Sequence, residues 1–217
     1  MVNVDLFSVQ GIDRAIKVGF ADSNLADVAI SPHLRLMVNV FTNKHQGRIF
    51  VLLRNPIERL LDEYYTTFMN AGLKIEKEKD STSTTAIRNF TKFSSENNWL
   101  TRQLSNQQLG IHLTSEHLEI AKDMLKHKFL IGKVDKTHES FERFKMYFGW
   151  KTDSYLCDDQ ILKGASSKIK NHMNDLNEDE INLIYVSNSL DMQLYDYAEY
   201  LFQQQGSQFF GMNKFQW

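Results

Sequence analysis

Arg54, Asp62, His33, Arg102 and the stretch Lys163-Gly164-Ala165-Ser166-Ser167-Lys168 are the residues whose types and spacing could do chemistry. The chemistry they suggest is the holding of an anion. An apolar run, Ile49 to Leu53, leads into Arg54, and Pro56 comes closely after. Such a run, β-branched in part, predicts a buried strand. Proline at the first position of a helix loses nothing by lacking an N–H. Arg54 therefore falls in a strand-to-helix turn. In open α/β sheets ligands bind beyond the carboxyl ends of strands, and a helix N-terminus there favours an anion. The same placement also suits a surface or ion-paired arginine. In the Lys163 stretch, glycine lets backbone approach a phosphate while serine and lysine donate to it; a solvated basic loop is the competing reading. The planar fork of Arg102 could reach a sulfate, a phosphate or a uronate carboxylate, or simply lie on a helix surface. His33 stands at a second expected strand-to-helix junction and reads equally as a surface histidine. Asp62 and Arg59 are three apart on one helix, which predicts an ion pair.

Periodicity gives the elements that must position these groups. A short helix from Gly11 is closed by Gly19. Ala26-Asp27-Val28-Ala29-Ile30-Ser31 alternates and predicts a strand. Leu34, Met37, Val38 and Phe41 recur at helical spacing, as do Leu60, Leu61, Tyr64, Tyr65 and Phe68 after Pro56. Residues 74–85 read as a polar, mixed-charge loop, and 86–95 as a short helix. Thr114 caps a helix whose stripe is Leu118, Ala121, Met124 and Leu125. Its basic end, Lys126-His127-Lys128, complements the helix dipole. A second strand, Phe129 to Val134, precedes a helix from Thr137 to Phe148, with Phe141, Phe144, Tyr147 and Phe148 inward. Helix between strands implies a parallel pair. Asn177 and Glu180 form a capping box for a last helix that ends at Gly206, with a break near Ser187-Asn188-Ser189. Its stripe includes Ile181, Ile184, Tyr185, Leu190 and Leu194.

Composition narrows the classes. At 217 residues with 42% hydrophobic content, the chain is expected to be a single domain with a sizeable core. It has a weakly patterned segment 1–25 and an aromatic tail 207–217. A net charge of −2 argues against general nucleic-acid binding. No apolar run is long enough for a transmembrane helix, and the N-terminus lacks the pattern of a signal peptide. Cys157 is the only cysteine, which excludes an intramolecular disulfide and multi-cysteine metal sites. No metal is expected.

Arg54-Asn55-Pro56-Ile57-Glu58-Arg59, with Tyr64-Tyr65 downstream, resembles the 3′-phosphate-binding segment of sulfotransferases that use 3′-phosphoadenosine 5′-phosphosulfate (PAPS). The resemblance continues through Glu96 to Arg102, Leu118 to Lys122, Phe129 to Gly132, Phe144 to Trp150 and Asn188 to Tyr195. It points to the group that includes uronyl and heparan 2-O-sulfotransferases and their algal and bacterial relatives. It implies an α/β, P-loop-NTPase-like sulfotransferase fold, a parallel sheet flanked by helices, here N-terminally truncated. The Lys-Thr phosphosulfate loop that the family places near its N-terminus is absent. It implies sulfuryl transfer from PAPS to a hydroxyl, on a carbohydrate. Arg54 would hold the 3′-phosphate, with Lys163, Gly164 and Lys168 as the late basic loop. His33 would be the general base, a task suited to an imidazole, and Arg102 would bind the acceptor. Asp62 occupies a position where the family has serine as a phosphate donor. A carboxylate there repels phosphate by about 1 kcal/mol at 4 Å in water and about 4 at an effective dielectric of 20. A catalytically incomplete relative, or a non-enzymatic binding module, is the alternative; a nucleotide kinase ranks below both. The compartment implied is the Golgi lumen for a eukaryotic enzyme that has lost its anchor, or the cytoplasm for a bacterial one.

Overall fold

The computed structural model describes residues 4–70, 97–108, 110–150 and 176–211. The Lys163 stretch, the 74–85 loop, the 86–95 helix, Cys157 and the end of the aromatic tail lie outside them. Two strands, β1 (Ile49–Leu53) and β2 (Phe129–Lys133), pair in parallel, with Ile49 opposite Phe129 and Leu53 opposite Lys133. The helices are α1 (Val9–Lys17), α2 (Leu34–Met37), α3 (Pro56–Asn70), α4 (Trp99–Ser105), α5 (Ser115–Lys128), α6 (Thr137–Phe148), α7 (Glu178–Ser187) and α8 (Ser189–Phe210). The fold is mixed α/β: a small parallel sheet set among helices.

Strand alternation sorts the side chains onto two faces. Ile49, Val51, Leu53, Phe129 and Ile131 join the main core, against Leu104 of α4, Leu125 of α5 and Leu194 and Phe202 of α8. Phe50 and Gly132 turn to α6. The Phe50 ring lies 4.8 Å from Phe144 and 5.5 Å from Phe148, centre to centre. Gly132 makes this close approach possible, because a Cβ there would meet the Phe144 ring at 2.5 Å. A second core joins α3 to α7 through Leu60, Leu61, Tyr64 and Ile184, and a third joins α1 to the α2 region through Ile12, Ala15, Met37 and Val40.

The outer edge of β2 is covered by a side chain. Gln205 of α8 accepts from the Ile131 N–H at 2.9 Å and donates to the Phe129 carbonyl at 2.8 Å. It thus satisfies the groups that a further strand would have paired.

Two distant helix starts cap each other. Asn98 Oδ1 accepts from the N–H groups of Leu190 and Asp191, at 2.9 and 3.0 Å, at the start of α8. In return, Asp191 accepts from the Leu100 and Thr101 N–H groups at 2.9 and 2.8 Å, and from the Thr101 hydroxyl at 2.7 Å, at the start of α4. Asn188 Oδ1 accepts from the Asn98 N–H at 3.0 Å. This exchange explains the helix break expected at 187–189: Asn188 leaves the helical path to serve it.

Several expectations need correction. Residues 26–31 form no strand. Val28 and Ile30 are exposed, and the segment is tied by the Ser31 hydroxyl, which donates to the Leu6 carbonyl at 2.7 Å. Alternation alone cannot make a strand without a partner ladder. Gly206 does not end the last helix. It lies inside α8, where a Cβ would collide with the Arg143 guanidinium, and the left-handed Gly211 is the true C-cap. Tyr147 and Tyr185 are exposed and not inward. Among the described residues, no helix is long and apolar enough to cross a membrane.

Two substitutions test this packing by urea denaturation. Asp191→Ala leaves two buried N–H groups without an acceptor and is expected to cost about 3 kcal/mol. Gly132→Ala is expected to cost about 1–3 kcal/mol by overpacking against Phe144.

Candidate functional site

Arg54 leaves the carboxyl end of β1 and α3 starts two residues later, as strand-turn-helix logic requires. The turn is closed by local bonds. Asn55 Oδ1 accepts from the Ile57 N–H at 2.9 Å and the Glu58 N–H at 3.5 Å, and Pro56 has no N–H to offer. The helix start that would welcome an anion is therefore capped from within.

The Arg54 guanidinium lies along the first two turns of α3. Its Nη1 donates to Asp62 Oδ2 at 3.2 Å, and its Nε is 3.8 Å from Glu58 Oε2. Among the described residues, its buried Nε has no hydrogen-bond partner. Glu58 and Asp62 share one stripe, one turn apart. Arg59 lies on the neighbouring stripe and bonds Glu63 at 3.4 Å. The expected Arg59–Asp62 pair is thus replaced by two others. The i,i+4 partner takes Arg59, and Asp62 is left to Arg54. Arg59 also sits over the Trp99 ring, 5.7 Å from its centre.

Beside Arg54, at the same end of the sheet, β2 delivers Lys133. The two strand ends are bonded to each other: the Val134 N–H donates to the Leu53 carbonyl at 2.8 Å. Lys133 is buried. Its Nζ donates to Glu199 of α8 and to Asp135 at 3.1 Å, and it lies over the Tyr195 ring. Lys136 pairs with the other oxygen of Glu199 at 3.5 Å. Burial alone would push the Lys133 ammonium down, but the bonds to Glu199 and Asp135 and the neighbouring negative charge outweigh it and raise it. Burial would push Glu199 up; the Lys133 and Gln203 bonds and the Lys133 and Lys136 charges hold it below the ordinary carboxylate value. Tyr195 is pushed up to about 12, mainly by burial and despite the Lys133 charge. Sequence reasoning missed this cluster. A lysine closing an apolar strand run was the available signal, because a buried ammonium needs a partner.

His33 and Arg102 meet elsewhere. Both line an open cleft of about 170 Å³, with Arg35, Gln103, Asn106 and Gln107; Arg54 does not line it. His33 ends the segment leading into α2, and its Nε2 lies 3.2 Å from the Phe7 carbonyl. A carbonyl only accepts, so Nε2 carries the proton and Nδ1 keeps its lone pair in the neutral ring. Arg102 donates through Nη1 to the carbonyls of Gln108 at 2.7 Å and Ile111 at 3.0 Å. That folds the segment after α4 back onto the helix, while the buried Nε has no hydrogen-bond partner among the described residues. Lys163, Gly164 and Lys168 lie outside the described residues.

A model of the sulfotransferase family matches residues 35–198. The match takes in Arg54, Asp62, Arg102 and the 163–168 stretch, and begins just after His33. No curated protein and no solved structure matches the chain.

The Lys133–Glu199 pair sets a pH dependence. Glu199 is depressed in the fold, so its stabilisation is present above the ordinary carboxylate pKa and is lost as pH falls through the folded value. Glu199→Gln is therefore expected to lower the thermal midpoint at neutral pH and to shrink the difference between wild type and variant as pH drops from about 6 to about 3. Thermal melts followed by circular dichroism across that range check it.

Proposed function

The chain belongs to the sulfotransferase family, and from that premise we propose that it transfers a sulfuryl group from PAPS to a hydroxyl of a carbohydrate. Family membership implies a P-loop-like fold and a PAPS donor; the nucleotide site and the acceptor are our reading. The observation that carries it is Arg54, at the carboxyl end of a parallel strand, with a guanidinium that stays about one-fifth exposed. A planar guanidinium fits a phosphate. PAPS, when bound, supplies the activated sulfuryl group. Arg54 would orient it by the 3′-phosphate, Lys163 and Lys168 would add positive charge from the late loop, and Gly164 would let its backbone come close. His33 would take the acceptor hydroxyl's proton on Nδ1, the nitrogen left free by its Phe7 contact. Arg102 would shape the acceptor cleft by holding the Gln108–Ile111 segment.

A second reading is favoured by a specific observation. Glu58 and Asp62 both face Arg54, and a phosphate dianion must compete with two carboxylates for one guanidinium. A family member whose nucleotide site is closed by this clamp would serve as a binding module without transfer activity.

Calorimetry with 3′,5′-adenosine bisphosphate separates the two. Saturable binding, lost in Arg54→Ala and tightened about tenfold in Asp62→Ser, supports the transferase. No binding by the wild type, with binding gained in Asp62→Ser, supports the clamped module. No binding by either overturns the assignment of Arg54.

A further inference from the structure

The opposite end of the sheet holds a second site. Gly47 and Arg48 just before β1, Ile49 at its start, Lys128 at the end of α5, and Phe129 and Leu130 at the start of β2 border an open cavity of about 390 Å³. That is within the size range of small-ligand pockets. Its walls include Phe41 and Tyr147, and its cationic lining is Arg48, Lys126 and Lys128, with His127 beside them. Arg48 lies over the Tyr147 ring, 5.5 Å from its centre. No carboxylate among the described residues lines the cavity. Asp123 of α5 is turned to His127, whose Nδ1 lies 3.0 Å from its Oδ1. Among the described residues, Arg48, Lys126 and Lys128 form no ion pair.

This contrasts with the rest of the surface near the sheet. At the carboxyl end, Arg54, Lys133 and Lys136 are all matched by carboxylates. Helix-dipole compensation accounts for cations in the last turn of α5. It does not account for Arg48, which comes just before β1 and lines the same cavity. Cations from two separate segments therefore converge on an aromatic-walled hollow with no counter-charge among the described residues.

We propose that this cavity binds a small organic oxyanion, a sulfate or phosphate monoester carried on a ring-sized apolar body. Arg48 would take the oxyanion through its planar fork, Lys126 and Lys128 would supply field, and Phe41 and Tyr147 would cover the body. The site is independent of the nucleotide reading: strand rise puts Arg48 roughly 20 Å from Arg54.

The probe is 2-naphthyl sulfate, titrated by calorimetry into the full chain, with inorganic sulfate and 2-naphthol as head and body alone. The expected result is saturable one-to-one binding, weaker at high salt. Arg48→Ala and the double variant Lys126→Gln/Lys128→Gln are each expected to weaken it about tenfold. Arg54→Ala is expected to leave it unchanged. Thermal midpoints equal to wild type confirm that the surface variants are folded. Absence of saturable binding overturns the site, as does an affinity indifferent to Arg48→Ala. Loss of binding in Arg54→Ala overturns it too, by moving the anion to the other end of the sheet. Inorganic sulfate binding as tightly as the naphthyl ester overturns the role given to the rings. Failure of 3′,5′-adenosine bisphosphate to bind leaves these outcomes untouched.

Discussion

The exchange of caps between the starts of α4 and α8 is the constraint on which the rest depends. A helix start presents N–H groups with no partner inside the helix. Here two such starts, far apart in the chain, are buried against each other and answered by Asn98, Asn188 and Asp191. Burying the Asp191 carboxyl pushes it up, against the pull of the Thr101 and Leu100 bonds and the Arg59 charge. The arrangement persists because removing the carboxylate would strand its donors in the interior.

The influence of this junction extends to both ends of the sheet. It fixes the direction of α8, and α8 then carries Glu199 to Lys133, Gln205 to the bare edge of β2, and Gly206 to the Arg143 guanidinium. Arg143 itself is buried against the Phe202 ring and paired with Glu139. The same junction fixes α4, and α4 brings Arg102 to the cleft that His33 borders. A polar knot thus orients two helices, and apolar packing around Leu104, Leu194 and Phe202 supplies the bulk of the driving force.

The sheet ends differ in how charge is settled. At the carboxyl end Arg54, Lys133 and Lys136 each have an internal carboxylate, so a ligand must displace a partner before it gains anything. At the amino end Arg48, Lys126 and Lys128 meet no carboxylate among the described residues. An anion arriving there displaces none of them, which is the easier exchange when the interactions are otherwise alike. The general expectation that ligands gather at carboxyl ends of strands describes where backbone geometry converges. It does not say whether the side chains found there are already paired.

Much of the framework was legible in the residues alone. Ile49–Leu53 and Phe129–Lys133 announced themselves as apolar runs, Pro56 and Thr114 as helix starts, Asn177 with Glu180 as a capping box, and the break near Asn188 as a local loss of pattern. These are near-neighbour effects, carried by periodicity and by bonds that span one helical turn. The third strand expected at 26–31 failed because a strand needs a partner that local pattern cannot supply. Gly206 misled because a glycine can mark either an end or a close approach, and only Arg143 decides which. The choice of partner for Arg54, the burial of Lys133, the meeting of His33 with Arg102 and the gathering of Arg48 with the end of α5 were decided by tertiary structure. Each depends on packing between separate elements, and nothing in a residue's own neighbourhood encodes which distant charge it will meet.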